Sequence, residues 1–470
     1  MKKVKIFATI GPASDSEDVL RKMILAGMNV ARINMSHATA DEIEFRVGTI
    51  RKLNEELGTN VGVLIDTKGP EIRTGKFENG GINLEKGMIV TLITNMDELG
   101  TTTRFPISYE KLSTSVKVGQ HILINDGLVT VEVKEINGTD VVCEVLTDGF
   151  IKDRRGINIP GIKLDLPFIS EKDRNDILTA IKYKADFIAM SFVSDKNDLL
   201  DTRKLLNENG GEGIKVISKV ESKLAIENID DIVELSDAIM VARGDMGVEL
   251  PYEQVPLIQK ELISKCREAG KVAITATEMM ASMENNPRPT RAEISDVANA
   301  IIDQTDAIML SGESAQGKYP VETIEAMTRI SKHIEANIDS LSYIYSTIND
   351  DLSIPAVIGY NVAENATKLG SKAIVVSTMS GDTARIVSNF RPSCPIIAMT
   401  SDKSVLTALS MNYGVYPVYV EKFASTDDII EKAKEIVTQQ FGFSDGTIVI
   451  SGDYPTTDSK KTNFMKIELI

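Results

Sequence analysis

Short runs of apolar residues that end in polar or charged residues recur along most of the chain. Eight of them are rich in Val and Ile, namely VKIFATIGP, NVARINMSH, VGVLIDTKG, DFIAMSFVS, IKVISKVES, AIMVARGDM, VAITATEMM and AIMLSGESA. Each run has the length of a strand that is buried on both faces. A buried strand needs no polar ending, so the repeated tips indicate that one end of these strands carries chemistry.

Segments of helical period lie between most of these runs. SEDVLRKMILAGM places Val19, Leu20, Met23, Ile24 and Met28 on one face and has Ser16 as a candidate N-cap. YEQVPLIQKELISKCREAG ends in a glycine that suits a helix stop. Strands and helices therefore alternate, at roughly 25 to 35 residues per unit, which is typical of βαβ units. Eight such units predict a (β/α)₈ TIM barrel with its active site at the C-terminal strand ends.

One interval breaks this alternation, between VLIDTKG and DFIAMSF. It contains alternating, turn-rich segments such as KGMIVTLIT, GQHILINDGLVTVEVKEI and TDVVCEVLTDG. The pattern predicts a small β-barrel inserted after the third strand, where it can act as a lid over the larger barrel.

A second strand–helix alternation begins after about residue 345. Its strands are SKAIVVST, CPIIAMT, GVYPVYV and GTIVIS, with helices from DTARIVSNF, KSVLTALSM and TDDIIEKAKEIVTQQF between them. We expect a separate C-terminal α/β domain with a mainly parallel sheet. The predicted domains are a barrel domain at 1–69 and 166–344, a lid domain at 70–165 and a regulatory domain at 345–470.

Composition narrows the class of protein and of partner. The 470 residues are 42% hydrophobic and 26% charged, which is ordinary for a soluble globular protein. A net charge of −16 argues against a nucleic-acid partner and an anionic membrane surface. The start of the chain is a poor signal peptide, and no stretch approaches the ~18 apolar residues of a membrane span. We expect a cytoplasmic protein whose three cysteines are buried thiols.

Polar residues at the strand tips fall on common faces because side chains two apart on a strand point the same way. This alternation aligns Arg32 with Asn34 and Ser36, Lys219 with Glu221, and Thr275 with Thr277. Any one of these groups could be a structural ion-pair partner. Joint placement on several strands favours a functional site, since unpaired charge in a core costs several kcal/mol.

The residue types at these tips indicate a ligand. Glu221 and Asp245 follow adjacent strands and form a suitable carboxylate pair for Mg²⁺. Gly244 lets a backbone approach a ligand closely, and a helix turn beginning there would offer N–H groups to a carboxylate. Cations suited to phosphoryl oxygens are Arg32, Arg73 and Lys219. Together these groups predict a site for a small phosphorylated acid.

One motif imitates a nucleotide loop. GESAQGKY matches G-x₄-G-K up to its last position, where Tyr319 replaces the Ser or Thr that binds Mg²⁺. Pro320 then ends any continuous helix, so we expect a nucleotide to bind elsewhere.

The chain resembles the pyruvate kinase family along essentially its whole length. The motifs occur in the family's order: ATIGPAS, GMNVARINMSH, LIDTKGPEIRTG, INDG, GINIPG, EKD, SKVES, MVARGDMGVELP, NNPRPTRAEISDVANAI and IMLSGESA. The resemblance implies a barrel, an inserted lid, a C-terminal domain and a homotetramer. It also implies phosphoryl transfer from phosphoenolpyruvate to ADP, giving pyruvate and ATP. Some bacterial relatives carry an extra C-terminal phosphotransfer-like domain, and we expect this chain to be of the type without it.

The resemblance implies roles for the residues of the barrel site. Arg32 and Lys219 would contact the transferring phosphoryl group, with Lys219 stabilising its charge. Glu221 and Asp245 would hold Mg²⁺ or Mn²⁺, and the backbone at Gly244 and Asp245 would hold the substrate carboxylate together with the Thr277 hydroxyl. K⁺ would be bound by Asn34, Ser36, Asp66 and Thr67, and the nucleotide by Asn34, Ser36, His37, Arg73 and Arg155.

Several positions refine or depart from the family's pattern. Glu71 matches the form of the GPE motif that goes with K⁺ dependence in this family. Arg155 stands where Lys is expected, Glu278 replaces a common Gln, and Ser314 replaces Thr, but none of these removes a catalytic group. The proton donor to the enol carbon stays open between Thr277 and a water that it orders.

The C-terminal domain has a candidate loop for a phosphorylated effector. STMSGDTARI resembles the family's sugar-phosphate loop through four residues, Thr378, Ser380, Gly381 and Thr383. Asp382 lies where a basic residue is common, and Asp453 and Asp458 lie in the other candidate loop, so carboxylates there should repel a bisphosphate. A monophosphate effector, or none, remains open.

Two other functions compete with this interpretation. A metal-dependent aldolase or lyase acting on pyruvate-type enolates would share the metal, the carboxylates and Arg32, but gives no reason for the lid or Lys219. A catalytically silent barrel that binds metabolites as a regulator would have little need to keep Arg32, Lys219, Glu221 and Asp245 together.

Overall fold

The predicted barrel is present in the computed structural model, which describes residues 1–36, 38–346, 353–453 and 462–470. Eight parallel strands close on themselves in chain order. They are Lys5–Thr9, Val30–Asn34, Gly62–Asp66, Phe187–Met190, Lys215–Val220, Ala238–Ala242, Val272–Ala276 and Ala307–Leu310. Each of the eight apolar runs supplies one strand, so the prediction is confirmed.

Helices surround the barrel and follow the capping signals in the sequence. The first begins after Ser16, whose hydroxyl accepts a hydrogen bond from the Val19 amide, and its apolar face buries Leu20, Met23 and Ile24 as predicted. The helices of this layer are Glu17–Ala26, Ala40–Leu57, Glu171–Lys182, Lys196–Glu208, Lys223–Glu227, Ile229–Leu235, Arg243–Glu249, Val255–Glu268, Arg291–Ile302, Gly312–Ala315, Pro320–Glu335 and Ser340–Ser346.

The interior of the barrel is filled by one apolar cluster. Inward residues such as Val30, Leu64 and Ile217 belong to it, whereas the residues between them pack outward against the helices. Two residues further along the same strands the inward face becomes polar, at Arg32 and Lys219 among others. The apolar filling therefore forces the polar side chains to the C-terminal rim.

The inserted unit is a mainly antiparallel β structure that follows the third barrel strand, where a small β-barrel was predicted. A seven-stranded sheet and a two-stranded ribbon contain Ile72–Arg73, Gly81–Leu84, Ile89–Ile93, Arg104–Pro106, His121–Ile124, Val129–Asn137, Asp140–Val145, Gly149–Lys152 and Gly156–Asn158, with a short helix at Leu112–Ser115. A bridge between Thr74 and Ile107 joins the two edge strands of the larger sheet, so the sheet curls toward a barrel around its own apolar core.

The C-terminal unit is a five-stranded sheet with helices, four of its strands being parallel. Its strands are Ala373–Ser377, Ile396–Thr400, Val415–Tyr419, Thr447–Gly452 and Phe464–Leu469, and its helices are Ile354–Lys368, Asp382–Asn389, Lys403–Ala408 and Thr426–Gln439. The sequence patterns did not identify the antiparallel edge strand Phe464–Leu469 or the helix Ile354–Lys368. The mainly parallel sheet is confirmed.

The C-terminal unit packs on the side of the barrel opposite the polar rim. Arg391 forms an ion pair of 2.9 Å with Asp306, and both side chains are almost fully buried. Met411 belongs to the apolar cluster inside the barrel and helps to close its lower end. These buried contacts join the two units.

Two further expectations concern single features. Cys143, Cys266 and Cys394 are buried and unpaired by disulfides, and burial raises the pKa of Cys143 to about 12. Among the helices that the structure describes, none is long and apolar enough to cross a membrane.

Candidate active site

The polar rim is organised around Asp66, at the end of the third strand. Its carboxylate accepts a hydrogen bond of 2.6 Å from Arg32 Nε and lies 3.4 Å from Lys219 Nζ. Arg32 also donates to the Thr9 hydroxyl at 2.8 Å. Burial acts to raise the pKa of Asp66, but the charges of Lys219 and Arg32 outweigh it and hold the pKa below its usual value. Two cations from separate strands are therefore fixed next to each other by one buried anion.

Lys219 and Glu221 meet as their alternation predicts. Lys219 Nζ lies 2.8 Å from Glu221 Oε1, and the two side chains are 12% and 1% exposed. Burial acts to lower the pKa of Lys219, but the charges of Asp66, Glu221 and Asp245 outweigh it and raise the pKa. The lysine is consequently a permanent cation, which a group that stabilises phosphoryl charge must be.

The surroundings of Glu221 disfavour its charged form. Burial, reinforced by the nearby charge of Asp245, raises its pKa to about 8 against the opposing effect of Lys219. Asp245 lies in the first turn of the helix Arg243–Glu249, directly after the adjacent strand. Two carboxylates that repel each other at a rim fit a divalent cation, which keeps waters for its remaining ligands. No cluster of three or more candidate metal ligands occurs among the described residues.

The helix turn expected after the sixth strand begins at Arg243. The Gly244 amide donates to Thr277 Oγ1 at 2.8 Å, and Arg243 donates to the Thr277 carbonyl at 2.6 Å. Thr277 and Glu278 both have positive φ, 69° and 54°. Backbone strain of this kind persists only where the surroundings impose it, and Arg243 supplies that restraint.

The predicted alignment of Thr275 with Thr277 is wrong. Thr275 bonds to the Thr305 hydroxyl at 3.0 Å and is fully buried, while its neighbours Ile274 and Ala276 face the barrel interior. The positive φ of Thr277 breaks the two-residue alternation at the strand end. Thr277 alone reaches the rim.

The four residues expected to bind K⁺, Asp66 among them, lie close together at the ends of the second and third strands. Asn34 and Asp66 are register partners on neighbouring strands, and Asn34 Oδ1 accepts from the Ser36 amide at 3.0 Å. The Thr67 hydroxyl donates to the Ala189 carbonyl at 3.2 Å. The cluster combines side-chain oxygens with one carboxylate, which suits a hard cation of low charge.

The residues expected to meet a nucleotide lie partly at the base of the inserted unit. Arg73 donates twice to Glu71 Oε2, at 2.8 Å and 2.6 Å, and Lys68 lies 3.4 Å from the same oxygen. Arg155 pairs with Thr74 through its backbone, and its Nε has no partner among the described residues. His37 lies outside the described residues.

A cleft separates the inserted unit from the barrel rim. Its lining includes Glu71, Asn158, Phe192, Leu224, Asp245 and Glu249. Asn158 donates to Glu249 at 3.5 Å, and Lys163 forms an ion pair with Asp195 across the same gap. These contacts connect the insert to the barrel directly above the polar rim.

The candidate effector loop of the C-terminal unit is closed by its own carboxylate. Asp382 accepts from the Ser380 hydroxyl at 2.5 Å and forms an ion pair with Arg385. Burial acts to raise the pKa of Asp382, but these two partners outweigh it and lower the pKa. Of the remaining predicted residues, Thr378 accepts from the Gly381 amide and Thr383 pairs with Thr462. Asp458 lies outside the described residues.

Three residues of the site were not identified from the sequence. Ser191 and Phe192 follow the fourth strand and contact Lys219 and Glu221, and Arg243 holds Thr277 in place. The tip of DFIAMSFVS carried the same signal as the other polar tips. Ser191 and Phe192, however, carry no charge, so the pattern of charged residues at the strand tips did not indicate them.

Known proteins have the same domain organisation as this chain. The family models "Pyruvate kinase, barrel domain" and "Pyruvate kinase, alpha/beta domain" match residues 1–324 and 356–468. A pyruvate kinase of Clostridium perfringens is 44% identical over the full length of both chains. One from Staphylococcus haemolyticus is 46% identical, and the match covers 100% of this chain and 81% of that protein. The crystal structure of a pyruvate kinase from Cryptosporidium parvum superposes with a TM-score of 0.94 at 37% identity, over 100% of this chain and 96% of that one. The chain therefore belongs to the pyruvate kinase family.

Proposed function

We propose that this chain transfers the phosphoryl group of phosphoenolpyruvate to ADP through the polar rim of its barrel, with Lys219 stabilising the transferring group. The reaction is that of the family to which the chain belongs, the last step of glycolysis. The observation that carries the assignment of roles is the fixed pair of Arg32 and Lys219 around Asp66, beside Glu221. Phosphoryl transfer asks a protein mainly for positioning and for charge neutralisation, and this rim offers both.

Each group around the rim has a proposed role. Arg32 orients the phosphoryl oxygens, while Lys219 follows the charge that develops between donor and acceptor. The start of the helix Arg243–Glu249 and the Thr277 hydroxyl hold the substrate carboxylate. Gly244 lies directly beside the Thr277 hydroxyl, since a Cβ there would be 3.5 Å from Thr277 Oγ1.

Pyruvate kinases generally need a divalent metal ion and K⁺. In this chain Glu221 and Asp245 would hold Mg²⁺ or Mn²⁺, and Asn34, Ser36, Asp66 and Thr67 would hold K⁺. A divalent cation bound there supplies neutralisation of the substrate's negative charge. Thr277, or a water that it orders, delivers the proton to the enol carbon.

Each of the three structural units has its own proposed role. Residues 1–69 and 166–344 carry the reaction, residues 70–165 form a lid that excludes water, and residues 345–470 are regulatory. The nucleotide contacts Asn34, Ser36, Arg73 and Arg155 at the mouth below the lid, and His37 is the further contact that the family resemblance implies. The cleft lined by Asn158 and Glu249 is consistent with a lid that closes onto the rim.

Regulation, assembly and location complete the proposal. A phosphorylated effector at Thr378, Ser380, Gly381 and Thr383 would have to displace Asp382 from Ser380 and Arg385, which disfavours a bisphosphate. Exposed apolar residues in the C-terminal unit, among them Ile354, Leu369 and Leu469, are consistent with a homo-oligomer, as in the family's tetramers. Three buried free thiols agree with a cytoplasmic protein.

The proposed reaction predicts a strict requirement for a nucleoside diphosphate. Purified protein with Mg²⁺ and K⁺ should form pyruvate from phosphoenolpyruvate only when ADP is present. Without ADP the phosphoryl group has no acceptor and stays on phosphoenolpyruvate. Pyruvate formation is followed through reduction by lactate dehydrogenase and NADH. An undiminished rate without ADP would instead favour a lyase or a phosphatase. In the same assay fructose 1,6-bisphosphate should give little activation.

The proposed K⁺ site predicts strong stimulation by K⁺. The Asp66 carboxylate is already engaged by Arg32 and Lys219. The oxygens of Asn34, Ser36 and Thr67 therefore need a bound cation of matching size, and this cation in turn orients the charged substrate. Rates in K⁺, Na⁺ and tetramethylammonium chloride at equal ionic strength make the comparison. Equal rates in all three salts would remove the K⁺ site, and with it the interpretation of Glu71.

A further inference from the structure

The two residues after the fourth barrel strand contact both charged groups of the fifth strand. Ser191 is 2% exposed, and its hydroxyl accepts a hydrogen bond of 2.7 Å from Lys219 Nζ. The same hydroxyl lies 2.8 Å from the Thr67 carbonyl and 3.5 Å from Asp66 Oδ1, with Thr67 the better acceptor by distance. A hydroxyl has one proton and two lone pairs. With the proton directed to Thr67, a lone pair faces the ammonium and fixes its direction.

Phe192 fixes the Glu221 carboxylate, as Ser191 fixes the Lys219 ammonium. Its amide donates to Glu221 Oε2 at 2.6 Å, while Lys219 occupies Glu221 Oε1 at 2.8 Å. The strand ends at Met190, so this amide is available to Glu221. Each oxygen of the Glu221 carboxylate therefore has one partner that fixes its position.

The backbone of Phe192 is strained. Its φ is +57°, a left-handed conformation that costs an aromatic residue about 1–2 kcal/mol. Backbone strain of this kind clusters at functional sites, where the surrounding structure maintains it. Here the strained turn lies where the fourth strand ends and the amide meets Glu221.

The chain leading into the inserted unit packs on the same two residues. Gly69 has φ +76°, and a Cβ there would lie 2.9 Å from both Phe192 Cδ2 and Ser191 Cβ. Only glycine fits this approach. The dipeptide is thus enclosed between the entry to the insert and the two charged groups of the rim, which explains how the strain is maintained.

We propose that Ser191 and Phe192 are positioning residues for the phosphoryl transfer, Ser191 by aiming the Lys219 ammonium and Phe192 by orienting the Glu221 carboxylate through its left-handed amide. The inference deepens the proposed function and rests on the roles given there to Lys219 and Glu221. Neither side chain needs to touch the substrate. If the dipeptide served only to end a strand, its loss would change stability and leave the kinetic constants alone.

The test for Ser191 separates turnover from binding. Ser191→Ala should lower kcat roughly 10- to 100-fold, the effect of losing one hydrogen bond to a charged group, with less than about a 3-fold change in KM for phosphoenolpyruvate. Ser218→Ala is the matched control, because Ser218 is a buried serine on the same strand as Lys219 that bonds to Ser236 instead. A kcat for Ser191→Ala equal to that of the control would overturn the role of Ser191.

The test for Phe192 separates backbone from side chain. Phe192→Gly keeps the amide and accepts a positive φ, so Mn²⁺ affinity, measured by water proton relaxation without substrates, should stay within about 3-fold. Phe192→Val disfavours the left-handed turn and should weaken Mn²⁺ binding about 10-fold. Equal Mn²⁺ affinities for the two variants, or a larger loss in the glycine variant, would overturn the role of the Phe192 backbone.

Failure of this inference can be told from failure of the proposed function. If Lys219→Met loses turnover but Ser191→Ala does not, only the positioning role is wrong. If Lys219→Met turns over normally, the role of Lys219 is wrong, and the positioning of its ammonium is overturned with it. Thermal midpoints of all variants show whether a kinetic change merely reflects a destabilised fold.

Discussion

Lys219→Met is expected to lower kcat at least ~100-fold while the protein remains folded and binds Mg²⁺. Methionine has a similar length and shape but carries no charge, so the transferring phosphoryl group loses its main cation. Arg32 remains in place through Asp66 and Thr9, and it keeps the site able to bind substrate. The loss should therefore appear mainly in kcat, and less in KM for phosphoenolpyruvate.

Lys215→Met provides the matched control for this variant. Lys215 begins the same strand at the opposite end of the barrel, where its ammonium lies 3.9 Å from Asp237. The same substitution there should leave kcat close to that of the unaltered protein. Steady-state rates and circular dichroism of both variants make the comparison. Near-normal turnover by Lys219→Met would exclude the lysine from the transfer step.

Arg391→Met is expected to lower the stability of the folded chain by roughly 3–5 kcal/mol. Arg391 pairs with Asp306 at 2.9 Å, with side chains 2% and 4% exposed, and also donates to the Gln304 carbonyl at 2.8 Å. Its guanidinium lies 4.6 Å from the centre of the Tyr413 ring. Removing it leaves the Asp306 charge buried with much weaker compensation, in the interface that joins the C-terminal unit to the barrel.

Urea unfolding followed by circular dichroism measures this effect as a lower midpoint. Arg329→Met makes the same change in an exposed ion pair with Glu325, and it should hardly move the midpoint. Asp306→Asn added to Arg391→Met should recover part of the loss, because the amide oxygen still accepts from Ala273 without a charge. Equal midpoints for Arg391→Met and Arg329→Met would contradict the buried-pair argument.

The alternation of polar and apolar residues was sufficient to predict much of the site. Lys219 and Glu221 are two apart on a strand whose preceding inward residue, Ile217, fills the barrel, so their common face follows from the pleat. The rule held for Arg32 as well. It failed at Thr275, because Thr277 leaves the strand with a positive φ and the alternation ends one residue earlier than assumed.

Partners across strands could not be predicted in the same way. Asp66 is 34 residues from Arg32 along the chain and contacts both Arg32 and Lys219, a triad that depends on the register of neighbouring strands. The Asp382–Arg385 pair that closes the effector loop is different, because its two residues lie three apart on one helix and are neighbours by helix geometry alone. Sequence indicated only that a carboxylate there is unfavourable for a bisphosphate.

The sequence by itself determined the eight strands, the insertion after the third, the second α/β unit and the rim on which the charges lie. It did so because strand period, helix period and turn chemistry act over short distances along the chain. Only the tertiary structure decided that Ser191 and Phe192 hold Lys219 and Glu221, and that Gly69 packs behind them. Those contacts depend on a strained backbone and on close packing between distant segments, and local sequence pattern carries neither.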